Sequence, residues 1–398
     1  MDRREFLKAG VVAGVAASAG CASSTEPAPV LTGDPVPGWR MYGRDPARTY
    51  TAPVKGEQPE STPLWSKYGN QDVILEDPVI ASETAYVAYG RSSMYRETSY
   101  IEALDLETGR RNWRTPLDAN RIGTPLVAPD VNRVFVNAAP RTGDTGVLYA
   151  LDAQSGAIVA TRTVDDDGVG PILRTRNGIL SCRGGSLVRT VRRYDAGALD
   201  ETWSRSDVSL PVVGGGTAYM TTSADTLVAV DSASGDTDWE VESVHTAALR
   251  LTESGIHVLL GKTLQSFDGT GERRRTLEID PGLDPALAWP PVVTESTLVL
   301  HYYWPMEIAT SLISVPHQGS DTLWRVVSDR TPRLHIGLGD DFIASSGAQR
   351  STRIVNARTR REEYSGHLGT PVAATTDYLI THDIDDGLSA YRMRDDTT

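Results

Sequence analysis

The hydrophobic and polar positions of this chain form short runs that are typical of β-strands. Strongly β-prone runs such as Ala85-Tyr86-Val87, Val134-Phe135-Val136 and Tyr378-Leu379-Ile380 are separated by turns rich in Gly, Asp, Asn and Thr. No helical segments alternate with these runs, so a parallel α/β fold is not expected. The pattern therefore predicts an all-β protein of many short strands.

A repeat of about forty residues organises these strands. The clearest copies run from Ala103-Leu104-Asp105 through Gly109 to Trp113, and from Ala229-Val230-Asp231 through Gly235 to Trp239. Positions equivalent to the Asp are 105, 152, 195, 231, 268, 316, 356 and 392, with a mean step of 41 residues. A Pro followed by an apolar pair, as in Pro125-Leu126, marks the first strand of most units. Four short strands per unit form one blade, so the sequence predicts an eight-bladed β-propeller of four-stranded antiparallel blades.

The two ends of the chain fit together in this scheme. The Trp of the last unit would stand at position 400, beyond Thr398, whereas Pro63-Leu64-Trp65 precedes the first unit and belongs to no repeat. We expect the strand around Trp65 to supply the missing outer strand of the last blade. Such closure removes a free sheet edge.

The signature Ala-x-Asp-x-x-Thr/Ser-Gly-x-x-x-Trp resembles the repeat of the pyrroloquinoline-quinone-type propellers, which include the BamB-like lipoproteins. Residues 39–49 also resemble the segment that leads into such propellers. The resemblance implies that the Trp docks between adjacent blades and that the Asp–Gly segment makes the turn beneath it. These structural positions are Trp65, Trp113, Trp203, Trp239, Trp324, Asp105, Asp152 and Asp231.

The first residues resemble an export signal with a lipid anchor. Arg3-Arg4 followed by Phe6-Leu7-Lys8 resembles a twin-arginine signal over residues 1–20, and its apolar stretch is too short to span a membrane. Ser18-Ala19-Gly20-Cys21 resembles a lipobox, so we expect a lipidated Cys21; the alternative is cleavage near Ala17 or Ala19 with Cys21 left as a free thiol. Residues 21–37 are small, polar and Pro-rich, as in a flexible tether. The propeller then spans residues 38–398, outside the cell membrane and anchored to its outer face.

Composition narrows the possible partners. A net charge of −13 argues against nucleic acid, because binding its phosphates needs a basic face. Four Lys stand against 35 Arg in an acidic chain, a composition that resembles proteins of extreme halophiles. We expect a monomer.

The resemblance raises the question of a quinone cofactor. Quinoprotein dehydrogenases of this fold carry two adjacent cysteines and a calcium ion held by Glu, Asn and Asp. The two cysteines here, Cys21 and Cys182, are far apart in sequence, and no matching ligand set is recognisable. The seven His show no ligand spacing, and the Asp-rich segments 165–168 and 383–387 lack the Glu that closes an EF-hand loop. We therefore expect no cofactor, no metal and no catalytic residue.

The sequence thus favours a binding or assembly scaffold whose partner is a protein or a surface polymer. The alternatives are a quinone-dependent dehydrogenase of the same fold and a carbohydrate- or ion-binding module. One candidate contact is the aromatic run Tyr302-Tyr303-Trp304, expected in an extended loop. In the competing interpretation, Tyr302 and Trp304 alternate into the core.

Overall fold

The computed structural model contains eight antiparallel sheets of four principal strands each, arranged as the blades of a ring. This confirms the predicted eight-bladed β-propeller. The structure describes residues 44–45, 51–52, 57–69, 73–91, 98–140, 145–166, 168–176, 178–184, 189–244, 248–282, 287–304, 309–319, 321–328, 332–346, 351–383 and 386–395. The predicted signal, Cys21 and the tether lie outside these residues.

Within each blade the strands follow one another from the channel to the rim. Blade 1 has Val73–Leu75 and Val79–Ala81 as its inner edge, then Thr84–Arg91, Thr98–Asp105 and Arg111–Asp118. Blade 2 has Arg121–Ile122 and Leu126–Ala128, a 3-10 turn at Pro129–Val131, then Arg133–Ala139, Gly146–Asp152 and Ile158–Val164. Blade 3 comprises Ile172–Thr175, Gly178–Gly184, Arg189–Asp195 and Glu201–Val208, and blade 4 comprises Val212–Gly214, Thr217–Thr221, Thr226–Asp231 and Thr237–Glu242.

The second half of the ring repeats this order. Blade 5 comprises Ala248–Thr252, Gly255–Leu260, Thr263–Phe267 and Arg273–Glu278, and blade 6 comprises Leu287–Val293, Thr297–Trp304, Ala309–Pro316 and Trp324–Ser328. Blade 7 comprises Pro332–Leu338, Asp341–Ser346, Ser351–Asn356 and Glu362–Gly366. Blade 8 comprises Thr370–Ala374, Tyr378–Asp383 and Gly387–Asp395. We name the two faces of the ring by the direction of the inner strands. The inner strands begin at the upper face, and the turns that contain the marker Asp residues lie on the lower face.

The ring is closed by the N-terminal strand. Trp65–Tyr68 pairs antiparallel with Gly387–Asp395, and Trp65 lies opposite Ala390. This strand supplies the outer edge of blade 8, as predicted from the spacing of the Trp markers. Glu57–Pro59 pairs with the far end of the same blade 8 strand, and Gln58 donates a hydrogen bond of 2.9 Å to the carbonyl of Glu363 in blade 7.

A second N-terminal segment lies along the channel. Thr51–Ala52 runs parallel to the inner strand of blade 7, with Thr51 opposite Gly337. The Thr51 hydroxyl also donates to the carbonyl of Val293 in blade 6. A Cβ at Gly337 would lie 2.6 Å from both the Thr51 hydroxyl and the Val293 carbonyl. Glycine is therefore required for this segment to bridge blades 6 and 7.

The hydrophobic core lies between the blades. Inner and second strands are buried on both faces, because each sheet packs against a sheet on either side. Outer strands such as Thr237–Glu242 alternate between exposed and half-buried residues, since only one of their faces meets a neighbouring blade. Among the described residues, no helix is long and apolar enough to cross a membrane.

Candidate functional site

The signature tryptophans join each blade to the next. Their indole N–H groups donate to backbone carbonyls of the following blade: Trp65 to Leu106 at 2.7 Å, Trp113 to Ala153 at 3.0 Å, Trp203 to Ser232 at 3.3 Å, Trp239 to Gly269 at 2.9 Å and Trp324 to Ala357 at 2.8 Å. Every acceptor directly follows a marker position of the repeat. These indoles are therefore engaged in holding the ring together.

The marker aspartates shape the turns on which the indoles rest. One carboxylate oxygen of Asp105 accepts from the backbone N–H and the hydroxyl of Thr108, at 2.8 and 2.6 Å. Asp152 and Asp231 accept in the same way from the turns that follow them. Hydrogen bonds from those side-chain and backbone donors lower the pKa of all three carboxyls. The negative charge of each carboxylate is thus stabilised by hydrogen-bond donors of its own turn.

Blade 5 departs from the pattern. Ser266 lies opposite Arg275, whereas the equivalent Ala103 and Ala229 lie opposite Trp113 and Trp239. The Arg275 guanidinium donates 2.8 Å to the carbonyl of Pro316 in blade 6, so it occupies the position of an indole. Burial lowers the pKa of Arg275.

Two histidines share this seam between blades 5 and 6. The His257 and His317 rings lie 6.0 Å apart, and His257 is 1% exposed, with its nitrogens near the hydroxyls of Thr252 and Ser266 at 2.9 Å. Burial, with the neighbouring positive groups, lowers the pKa of His257 to about 3. Burial also lowers the pKa of His317. Neutral imidazoles therefore serve as hydrogen-bonding core residues here.

The aromatic run of blade 6 lies in a strand. The expected loop is instead part of Thr297–Trp304, which pairs with neighbours on both edges. Tyr302 is 0% exposed and packs with the core between blades 5 and 6, so it presents no contact surface. Tyr303 is half-buried, and the Trp304 side chain lies outside the described residues. For Tyr302, alternation into the core is what the structure shows.

A buried carboxylate marks the seam where the ring closes. Glu102 of blade 1 is 3% exposed and accepts hydrogen bonds from the hydroxyls of Tyr68 at 2.6 Å and Tyr89 at 2.8 Å. Arg114 lies 3.3 Å from the same carboxylate and 3.7 Å from the Tyr100 ring centre. Burial and the Glu102 contact raise the pKa of both Tyr68 and Tyr89. The sequence signal of this cluster is a Glu that stands between the apolar residues Ile101 and Ala103 of the strand.

A cavity of about 240 Å³ opens at the upper end of the channel, between the inner strands of blades 1 to 4. Its polar groups are Glu76, Thr124 and Arg189. The remainder of the lining consists of small or apolar residues: Ile122, Gly123, Val169, Gly170, Pro171 and Leu210. No sequence motif marks this site, because its residues lie far apart along the chain.

Burial alters the acidity of the cavity carboxyl Glu76 and of its sequence neighbour Asp77. It raises the pKa of Glu76 to about 7, with a smaller contribution from the charge of Asp77. It also raises the pKa of Asp77 to about 6. Within the described part of the chain, no Arg, Lys or His forms an ion pair with either carboxyl, and Arg189 forms none with Glu76. The Arg189 guanidinium and the Glu76 carboxyl thus border one small cavity without forming an ion pair.

The residues present do not fit a quinone with calcium. Glu76 is the one carboxylate among the residues lining the cavity, and no Asn stands beside it. Across the described residues, no three His, Cys, Asp or Glu side chains are grouped so that they could hold a metal ion. Cys182 of blade 3 is fully buried in the core that blades 2, 3 and 4 share, and it has no cysteine neighbour in sequence. The donor set of the quinone-dependent enzymes is therefore not reproduced in these residues.

Comparison with known proteins agrees with the architecture. Residues 97–273 match the family described as outer membrane protein assembly factor BamB, somewhat less than half of the chain. None of the curated protein sequences matches this chain.

Solved structures extend the likeness to most of the ring. BamB from Moraxella catarrhalis is similar with a TM-score of 0.61 at 12% identity, covering 83% of this chain and 99% of that one. The quinohemoprotein alcohol dehydrogenase from Comamonas testosteroni has a TM-score of 0.63 at 13% identity, covering 90% and 80% of the two chains. Sqt1 from Saccharomyces cerevisiae has a TM-score of 0.56 at 12% identity, covering 83% and 99%. At such identities these likenesses concern the fold alone.

Together, the blades and the docked indoles define the class: an eight-bladed β-propeller. Within that class, the repeats over residues 97–273 are similar to those of the BamB family.

Proposed function

We propose that this chain is an exported lipoprotein whose propeller serves as a non-catalytic binding or assembly scaffold for a protein or surface polymer. The observation that carries the proposal is that the signature residues of the repeat are engaged in structural contacts. The five Trp and the marker Asp side chains hold blades and turns, as the contacts of Trp113 and Asp105 illustrate. The BamB-like repeat, matched to an assembly factor, supports the same role.

The anchor is tested first. Cys21→Ser is expected to move the protein from the membrane fraction to the medium and to abolish incorporation of a labelled fatty acid. Replacing Arg3 and Arg4 together by Lys is expected to retain the unprocessed chain inside the cell. Cys182→Ser provides the control, because Cys182 is a buried core residue of blade 3. Unchanged membrane retention and labelling of Cys21→Ser would refute the anchor.

The scaffold is tested by photocrosslinking in living cells. A photoreactive residue is placed at exposed Asp118 on the upper face, at Gln154 on the lower face, or at Thr161 on the outer strand of blade 2. A scaffold uses a defined surface, so discrete crosslinked products are expected from one position and not from the other two. Uniform absence of products at all three positions, with normal protein levels, would contradict the scaffold role.

A second candidate is a quinone-dependent dehydrogenase. The observation in its favour is the likeness to the Comamonas enzyme over 90% of this chain. The cavity residues do not supply the matching donors, as described above. Incubation of the purified chain with the quinone and calcium, followed by dye reduction with a panel of alcohols, decides between the two functions. Turnover would favour the enzyme, and no turnover the scaffold.

A further inference from the structure

Four successive blades each contribute to the upper cavity a residue that stands one or two positions before the Pro of their inner strand. Glu76 stands two residues before the Pro that opens the blade 1 inner strand, and Thr124, Gly170 and Leu210 stand directly before that Pro in blades 2, 3 and 4. The Pro and the apolar pair after it recur in all four blades, whereas these cavity residues differ in charge, polarity and size. The cavity is thus where the ring departs from its own symmetry.

The cationic side of the cavity is constructed by close packing. A Cβ at Gly170 would lie 2.8 Å from a terminal nitrogen of Arg189 and 2.3 Å from the carbonyl of Cys182. Glycine at this position therefore leaves room for the guanidinium. The Gly170 carbonyl is fixed by a 2.9 Å hydrogen bond from Asn137, whose own oxygen accepts from the buried Arg183 at 2.8 Å.

The charged groups of the cavity lack protein partners of opposite charge. In the described part of the chain, Arg189 Nε is buried and has no hydrogen-bond acceptor. Glu76 lines the same cavity and, like Asp77 beside it, has no cationic partner among the described residues. Removing charges from water without such partners costs free energy, which a ligand with complementary charges restores.

We propose that this cavity binds a small zwitterion with an aliphatic body, namely a free aliphatic α-amino acid. Arg189 donates hydrogen bonds to the carboxylate, because a guanidinium matches the geometry of a carboxylate. Glu76 and Thr124 accept hydrogen bonds from the ammonium group. The aliphatic side chain packs against Ile122, Val169, Pro171 and Leu210. A volume of about 240 Å³ is below the roughly 300–1,000 Å³ of pockets for drug-sized ligands, so the ligand is compact.

Three matched probes test the proposal by isothermal titration calorimetry on the purified full chain. L-leucine carries both charges, L-leucinamide lacks the carboxylate and 4-methylpentanoate lacks the ammonium group. We expect L-leucine to bind and each of the other two to bind at least tenfold more weakly. Glycine is expected to bind more weakly than leucine, because it has no aliphatic side chain. L-leucinamide or 4-methylpentanoate binding as tightly as L-leucine would overturn the zwitterion, and no heat with any probe would overturn the site.

Variants assign the binding to these residues. Arg189→Met and Glu76→Gln are each expected to weaken leucine binding at least tenfold, whereas Arg176→Met, an exposed arginine on the lower face, leaves it unchanged. Each cavity variant removes a charge that lacks a protein partner, so we expect both to fold with a Tm no lower than that of the parent. Thr124→Val changes no charge and provides a milder test of the same site. Unaltered leucine binding by all three cavity variants would contradict the proposal. The site does not depend on the scaffold function, and neither result decides the other.

Discussion

The indole nitrogen of Trp113 in blade 1 lies 3.0 Å from the carbonyl oxygen of Ala153 in blade 2, to which it donates a hydrogen bond. The face of the same indole covers Gly156, four residues after the marker Asp152. One side chain therefore fixes both the distance between two blades and the path of the turn below it. The same geometry recurs at Trp65 on Gly109, at Trp203 on Gly235 and at Trp239 on Gly271.

Loss of one such indole weakens one seam of the ring. Trp113→Phe keeps an aromatic ring but removes the N–H donor, and we expect the free energy of unfolding to fall by about 1–2 kcal/mol. Trp113→Ala also leaves a cavity and is expected to cost about 3–5 kcal/mol. Urea unfolding followed by circular dichroism measures both. Thr161→Ala, on the exposed outer strand of blade 2, serves as the control and is expected to change little. Equal stability of Trp113→Phe and the parent would show that this hydrogen bond contributes nothing.

The glycine beneath the indole can be tested by itself. Gly156 has φ +72°, and an added Cβ would lie 2.5 Å from the Trp113 ring. Gly216 also has a positive φ, +89°, but its added Cβ would meet nothing within 4 Å. We expect Gly216→Ala to show the backbone strain alone, about 1 kcal/mol, and Gly156→Ala to cost clearly more.

A double-mutant cycle separates the clash from the strain. Trp113→Leu combined with Gly156→Ala is expected to cost less than the sum of the two single changes, because the shorter side chain relieves the contact. Additive costs would mean that the indole and the glycine do not act on each other.

The regular part of this architecture could be read from the sequence. The spacing of Asp105, Asp152 and Asp231 predicts the number of blades, and the unassigned Trp65 predicts the closing strand. These features are local patterns that recur about every forty residues, so they can be recognised without knowledge of the tertiary contacts.

The irregular part could not be read in this way. The turn of blade 5 is one residue shorter than the others, so a spacing of eight points to exposed Thr276, whereas Arg275 occupies the indole position. Glu76 and Arg189 lie 113 positions apart and become neighbours only when the ring is assembled. Likewise, Glu102 meets Tyr68 only across the closing seam.

Acid is expected to weaken the seam between blades 5 and 6. An unfolded His has a pKa of about 6.5, whereas His257 in the folded protein titrates at about 3. Above pH 6.5 both states are neutral and this residue makes stability independent of pH. As the pH falls below 6.5 the unfolded state takes up the proton first, so the free energy of unfolding falls by up to about 1.4 kcal/mol per pH unit. His317, whose pKa is also lowered, adds to the loss.

The measurement is urea unfolding between pH 7 and pH 4.5, with the parent compared with His257→Gln at each pH, because the raised pKa values of Glu76 and Asp77 make their contribution change in the opposite direction over this window. His257→Gln is expected to be less stable than the parent at pH 7 and to lose less stability than the parent as the pH falls. The exposed His367 gives the control, and His367→Gln should leave the slope unchanged. Parallel profiles of the parent and His257→Gln from pH 7 to 4.5 would rule out the buried, neutral His257 as a cause of acid sensitivity.

Tyr68 and Glu102 form a buried polar contact across the closing seam. Tyr68 ends the closing strand, and its hydroxyl donates 2.6 Å to a carboxylate that is 3% exposed, so Tyr68→Phe is expected to cost about 1.5–3 kcal/mol. Glu102→Leu leaves half-buried Arg114 without this carboxylate, and we expect a loss of about 3 kcal/mol or more. Hydrogen exchange should rise first in Trp65–Tyr68, because that strand is held through Tyr68.

A matched control exists across the same seam. Tyr378 of blade 8 donates 3.0 Å to Glu107 of blade 1, but this pair is exposed to solvent. Water replaces an exposed partner readily, so Tyr378→Phe is expected to cost less than about 1 kcal/mol and to leave exchange in Trp65–Tyr68 unchanged. If Tyr68→Phe and Tyr378→Phe were equally mild, closure would depend on the strand pairing and the Trp65 indole, with no contribution specific to the buried carboxylate.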